Sequence, residues 1–174
     1  MGRGVARLII GSLSVIITIG FGVIAFKLPV GLATINWGLL LSSTALGVVA
    51  LACLGLIIGS TTMMMARHFW SVGEAFAGAL YLFSGAIFPL ETLPVWLRWF
   101  GYTLPVTYWL ELARRALLGP GAAGFPTLAA FSDAELIGIL AGFAALLAVG
   151  SHFFYRLALH IAKEKGLIDM ESGY

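Results

Sequence analysis

Residues 8–26 and 32–60 contain no charged side chain. A helix needs about 20 apolar residues to cross a bilayer, and both runs reach that length. Two further apolar runs follow. Residues 70–90 hold Glu74 near their start and stop at Pro89, and residues 136–155 are uncharged. Of the 174 residues, 60% are hydrophobic and 10% charged, with a mean hydropathy of +1.01. A soluble domain carries roughly a quarter charged residues. The expectation is an all-α integral membrane protein, with residues 1–174 forming one transmembrane domain of four spans at about 8–26, 32–60, 70–90 and 136–155. The opening Met-Gly-Arg-Gly-Val-Ala-Arg resembles the start of a signal peptide. The apolar run behind it is too long for one, and Phe26-Lys27-Leu28-Pro29 is no small-residue cleavage site, so a retained first span is expected. Residues 32–60 are longer than a bilayer requires, which a tilt or a first turn outside the core accommodates.

The stretch FPLETLPVWLRWFGYTLP, from Phe88 to Pro105, fits neither a water-exposed loop nor a span. If residues 91–118 crossed the bilayer, Arg98, Glu111, Arg114 and Arg115 would each cost roughly 2.5–3.5 kcal/mol at mid-depth. The sum is on the order of 10 kcal/mol before Pro105 is counted. Parity gives the same answer. Four spans put both termini on one side, with Arg3, Arg7, Arg67, Arg156, Lys163 and Lys165, and the positive-inside rule makes that side cytoplasmic. A fifth span would separate Lys163 and Lys165 from Arg3 and Arg7.

Residues 91–118 are therefore expected at the outer face as a re-entrant hairpin of two short amphipathic helices, 95–104 and 107–118. Pro94 suits the first turn of the first helix and Pro105 ends it, because a residue before proline avoids helical geometry. Gly119-Pro120-Gly121 closes the second. Glu111 pairs with Arg115 at i+4 or Arg114 at i+3. The plain reading of these ion pairs is structural. On this map Trp37, Trp96, Trp99 and Trp109 collect at the outer face and Trp70 at the inner one, as interfacial tryptophans do. Ser43, Gly47, Gly55 and Gly59 share a helical face, and Gly55/Gly59 and Gly138/Gly142 each form a GxxxG, which serves packing within one subunit as well as between two.

Signals for chemistry are absent. Ser84-Gly85 follows Leu82-Phe83, not the Gly-x that an intramembrane serine protease of rhomboid type carries. His152 and His160 stand eight residues apart with no carboxylate between them, and no His-Glu-x-x-His occurs. Asp133 and Asp169 are too far apart for a magnesium pair. Cys53 stands alone, which excludes an internal disulfide and suits a small buried residue. No Gly-x-x-x-x-Gly-Lys-Ser/Thr loop is present, so any ATP is hydrolysed by another chain. The net charge of +2, without a basic run, gives no reason to expect nucleic acid. No catalytic residue, metal or cofactor is expected. Glu74, the one acid inside a span, invites a functional role. Near Trp70 it also reaches the interface, or pairs with Arg67.

The segment FSGAIFPLETLPVWLRWFGYTLPVTYWLELARRALLG, from Phe83 to Gly119, resembles the signature region of the type-2 ABC exporter permeases. The shared pattern is Ser84-Gly85, Phe88-Pro89, Leu93-Pro94 with Trp96-Leu97, Pro105, then Arg114 and Arg115 with Leu118-Gly119. A looser likeness runs from about Arg3 to about His160. The resemblance implies a membrane subunit of an ATP-driven exporter of drugs, lipids or polysaccharides. Its implied partners are an ABC ATPase, a second permease subunit and membrane lipid, with the protein multi-pass in the cell (inner) membrane. The four spans then match the family's third to sixth. Without the first two and their coupling helix, the expectations are a shortened permease, one product of a split gene, or a misassigned start. As a fragment it would serve as a non-transporting assembly partner.

By the same resemblance, Gly2 to Arg7 are a remnant of the coupling region, and residues 61–69 form a second cytoplasmic loop. Arg3, Arg7, Met65, Arg67 and His68 become candidate ATPase contacts, with a purely topological role for these basic residues equally open. The hairpin caps the path from outside, so Ser84, Pro89, Pro94 and Pro105 join Glu74 as candidate path or gate residues. Phe76, Leu80 and Phe83 recur at i, i+4 and i+7 and share a face, which lines a path for lipid-like cargo or only packs on a neighbouring helix.

Overall fold

The computed structural model describes residues 10–11, 13–15, 17–18, 20–22, 24–25, 34–64, 69–125 and 127–164. These form helices and turns, with no strand among them. The described positions between 10 and 25 are helical. Five helices follow: α1 (Trp37–Met64), α2 (Phe69–Phe83), α3 (Val95–Tyr102), α4 (Pro105–Leu118) and α5 (Asp133–Glu164). Short 3-10 turns occupy Leu90–Thr92 and Gly119–Gly124. Within α1 and α5, the segments Trp37–Thr61 and Asp133–Ile161 are long and apolar enough to cross a membrane.

Local chemistry, more than hydropathy, sets the helix ends. Asn36 caps α1: its side-chain oxygen accepts from the Leu39 N–H at 3.1 Å. Ser132 and Glu135 form a capping box at the start of α5. The Ser132 hydroxyl accepts from the Glu135 N–H at 3.4 Å, and the Glu135 carboxylate accepts from the Ser132 N–H at 2.7 Å. Thus α5 begins before Leu136. It also runs past Tyr155 to Glu164, because Arg156, Lys163 and their Leu and Ala neighbours end an apolar run without opposing a helix. For the same reason α1 continues beyond Ser60 to Met64.

Helix α2 differs from the expected run 70–90, ending at Phe83. Gly85 takes φ +75°, the left-handed conformation that closes a helix one residue past its cap. The 15 residues of α2 rise about 22 Å, less than the roughly 30 Å of a bilayer core. The two short helices are also shifted: α3 stops at Tyr102, and α4 starts at Pro105 itself. Leu104 between them is extended, as a residue before proline should be.

The broadest packing is α1 on α5. Leu39, Ser43, Gly47, Ala50, Cys53 and Ser60 are buried along α1, and Leu136, Leu140, Ala144, Ser151 and Ala158 along α5. Spacings of three, four and seven place each set in one stripe. Most of these residues are small, so the backbones approach closely. Leu39, near the start of α1, shares a buried cluster with Leu136 and Leu140, near the start of α5, and with Tyr108, Leu112 and Ala116 of α4. The two long helices therefore run parallel, and α4 packs across their common beginning.

The expected small face of α1 splits. Gly47 is buried under the Trp109 ring, whose carbons lie as close as 2.5 Å to where a Cβ would stand. Gly55 and Gly59 are exposed, as are Gly138 and Gly142, and a Cβ at any of them meets nothing within 4 Å. Eight residues on from Gly47, the helix has turned about 80° past two full turns. Ala50 and Cys53 take the buried stripe instead.

Candidate functional site

Three prolines build the polar junction at the end where α1 and α5 begin. Each opens a turn of helix with a φ that proline already favours. Pro89, at φ −58° and ψ 141°, precedes the turn Leu90–Thr92, and its carbonyl accepts from the Thr92 N–H at 3.0 Å. Pro94, at φ −53° and ψ 145°, precedes α3, and its carbonyl accepts from the Leu97 N–H at 2.9 Å. Buried Pro105 is the first residue of α4. The Thr107 hydroxyl donates to the Gly101 carbonyl at 2.7 Å and the Tyr108 hydroxyl to the Tyr102 carbonyl at 2.8 Å, which fastens α4 to the end of α3.

The charges sit behind this frame. Glu111 is 2% exposed. One carboxylate oxygen accepts from Arg114 Nη1, and the other accepts from Arg115 Nε at 2.9 Å. Both sequence alternatives, i+3 and i+4, are realised together. Arg114 also donates to the Gly85 carbonyl at 3.2 Å and lies 3.7 Å above the Phe125 ring, so it reaches the break after α2. Arg115 donates to Asp133 at 2.9 Å, to the Phe131 carbonyl at 2.8 Å and to the Leu128 carbonyl at 2.9 Å. It thereby holds a loop in which Leu128 has φ 58°, a strained value for a residue with a side chain. Thr127, 1% exposed, accepts from the Leu90 N–H at 3.1 Å and donates to Glu91 at 3.2 Å.

Sequence spacing pairs Glu111 with its arginines. It misses Asp133, Thr127 and the loop carbonyls, which come from far along the chain. The Ser132-x-x-Glu135 spacing ahead of an apolar run is the sequence signal that could have placed the start of α5.

The other candidate residues are spread out. Ser84 is buried just before the left-handed Gly85, with its N–H on the Leu80 carbonyl at 3.0 Å. Phe76, Leu80 and Phe83 are partly covered while the neighbouring described positions of α2, Glu74 among them, are exposed. The Phe83 ring sits 6.2 Å from that of Phe100. Arg3, Arg7, Met65, Arg67 and His68 lie outside the described residues. His152 is exposed and Cys53 is a buried free thiol. Among the described residues no three His, Cys, Asp or Glu side chains come together as a metal site. Glu111, Arg114 and Arg115 are bound to one another and to main-chain carbonyls, which suits them to fastening and not to bond making.

A cleft of about 470 Å³ opens beside Glu111, Arg115 and Asp133, next to Asn36 and the Gly119–Gly124 turn. A second, of about 590 Å³, lies among α3, α4 and residues 128–131.

A family model described as ABC-2 type transporter matches residues 1–118. The chain belongs to that family. The match takes in α1 to α4 together with Glu111, Arg114 and Arg115, and ends before Asp133 and α5. No curated protein and no solved structure matches the chain. As an ABC-2 family protein it is a permease component of an ABC transporter, a membrane transport subunit and not itself catalytic. ABC-2 permeases generally work with an ABC ATPase and often dimerise.

Proposed function

We propose that this permease is the membrane-spanning subunit of an ATP-driven exporter whose ATPase is a separate chain. Two permease subunits enclose a path for drug, lipid or polysaccharide-type cargo, and ATP binding shifts the pair between inward and outward states for which it has different affinities. The protein lies in the cell (inner) membrane with both termini cytoplasmic. It has four spans and a re-entrant hairpin at residues 91–118 that caps the path from outside. Glu74, Phe76, Leu80, Phe83, Ser84, Pro89, Pro94 and Pro105 are its path or gate. Arg3, Arg7, Met65, Arg67 and His68 meet the ATPase.

The observation that carries this reading is the parallel course of α1 and α5 from one shared polar junction. On a four-span map these are the second and fourth spans and must run the same way. A fifth span at 91–118 would make them antiparallel. The junction also keeps Arg98, Glu111, Arg114 and Arg115 at one end, where their charges need not cross hydrocarbon.

The test is purification of the chain from its own cells in mild detergent. An ATPase subunit recovered in near-equal amount is expected. Recovery of the chain alone, or only with a membrane protein that supplies further spans, would replace the exporter by a non-transporting assembly partner or half of a split permease. The topology has its own check. Cysteines introduced by Thr103→Cys and Lys163→Cys should label from opposite sides of the membrane, and same-side labelling would refute the four-span map.

A further inference from the structure

The cleft of about 590 Å³ is lined by Glu91, Trp99, Tyr102, Tyr108, Leu128 and Phe131, with Ala129 and Ala130. Half of its lining residues are aromatic. Trp99 and Tyr102 meet edge to face, at 90° and 6.4 Å between ring centroids, so two of its aromatic surfaces stand at a right angle. Tyr108 is held rigidly: its hydroxyl bonds the Tyr102 carbonyl, and its ring packs 5.5 Å from Phe143.

Glu91 is the acid in this lining, and it is partly buried. The other acids of the junction are answered: Glu111 by two arginines, Asp133 by Arg115 and Glu135 by the Ser132 cap. Glu91 receives one hydrogen bond, from Thr127, and forms no ion pair among the described residues. Arg98 does not supply that pair. Its Nε goes to the Leu93 carbonyl and its Nη2 to the main-chain carbonyl of Glu91.

An unmatched carboxylate beside several aromatic rings selects among ligands. A small metal ion needs several oxygen ligands, and this lining offers one carboxylate. A neutral apolar molecule leaves the carboxylate unanswered. An alkylated ammonium sheds its weak hydration cheaply, gains from the rings and neutralises the acid. We propose that this cleft binds an organic cation, a quaternary or tertiary ammonium, with its charge against Glu91 and its alkyl groups among Trp99, Tyr102 and Phe131. Binding of this kind stands independently of export. The same chemistry is carried by a phosphocholine lipid headgroup and by a free amphipathic cation.

The experiment uses the full chain in a maltoside detergent and labelled benzyltrimethylammonium in equilibrium dialysis. Saturable binding of one probe per chain is expected. Its neutral carbon isostere, neopentylbenzene, should compete at least about tenfold more weakly. Glu91→Gln should weaken probe binding about tenfold, and Trp99→Ala, at a position 68% exposed, about threefold or more. Absence of probe binding, equal competition by the isostere, or unchanged affinity in both variants would overturn the proposal. The isostere comparison on the unaltered chain keeps the test decisive if Glu91→Gln fails to fold. Displacement of the probe by phosphocholine nanodiscs but not phosphoglycerol ones would support the site and identify a headgroup. Retention of the probe in both would support it as a site for a free amphipathic cation.

Discussion

Helices α3 and α4 are held by their polar groups, whereas the described side chains of α2 are covered only along one apolar stripe. Between Val95 and Leu118, Arg98, Thr107, Tyr108, Glu111, Arg114 and Arg115 all have named partners. Along the described part of α2, Phe76, Leu80 and Phe83 are partly covered, the last beside Phe100, while Tyr81 and Leu82 stay 64% and 43% exposed. In water such an apolar helix would be driven onto its neighbours. In lipid that drive vanishes, and a helix is fixed by close packing of small residues and by hydrogen bonds. By that standard α3 and α4 are fastened, α1 and α5 are fastened through their small stripes, and α2 keeps a surface free for lipid or another subunit.

The contrast can be broken most directly at Arg115. Arg115→Ala leaves Asp133 without its ion pair and takes donors from the Leu128 and Phe131 carbonyls and from Glu111. Asp133 is half exposed and Glu111 keeps Arg114, so the expected loss is that of the charged hydrogen bonds, about 2–4 kcal/mol. It should appear as a lower unfolding midpoint in detergent and as protease cleavage within residues 125–132. An unchanged midpoint would mean that the arginine is ornamental. Next comes Gly101→Ala. The new Cβ would stand 2.6 Å from a Leu90 methyl carbon and 2.7 Å from the Phe83 carbonyl oxygen, the second of which cannot yield easily. A loss of about 1–3 kcal/mol is expected by the same unfolding measurement. Smallest is Leu82→Ala, which should shift the stability of the isolated chain by no more than about 0.5 kcal/mol. A shift as large as that of Gly101→Ala would show that α2 is held as firmly as α3 and α4.

Much of this division is legible in the sequence. The uncharged runs locate the long helices, and the cost of Arg98, Glu111, Arg114 and Arg115 in hydrocarbon sets residues 91–118 apart. The prolines mark where turns of helix begin, although Pro105 opens α4 where an ending to α3 was expected. Helix ends were harder, because hydropathy reports a bilayer's width and not a hydrogen-bond ladder. Hence Gly85 cuts α2 short, and Ser132 with Glu135 starts α5 early. Spacing rules reach three or four residues, which suffices for Glu111 and its arginines. They do not reach Asp133, Thr127 or the carbonyls of Leu128 and Phe131. The two GxxxG pairs look like packing faces in sequence, yet within this chain they point outward.

The parallel course of α1 and α5 also sets an order of assembly. Leu39 and Leu136 belong to one cluster although about a hundred residues separate them in the chain. During synthesis α1 emerges long before the helix it must meet, so the part of its stripe that α5 covers waits while residues 69–132 are still being made. Closure of the Arg115 to Asp133 link must likewise come late. A chain released before Asp133 would hold the whole of the family's matched segment and still lack the piece that locks it.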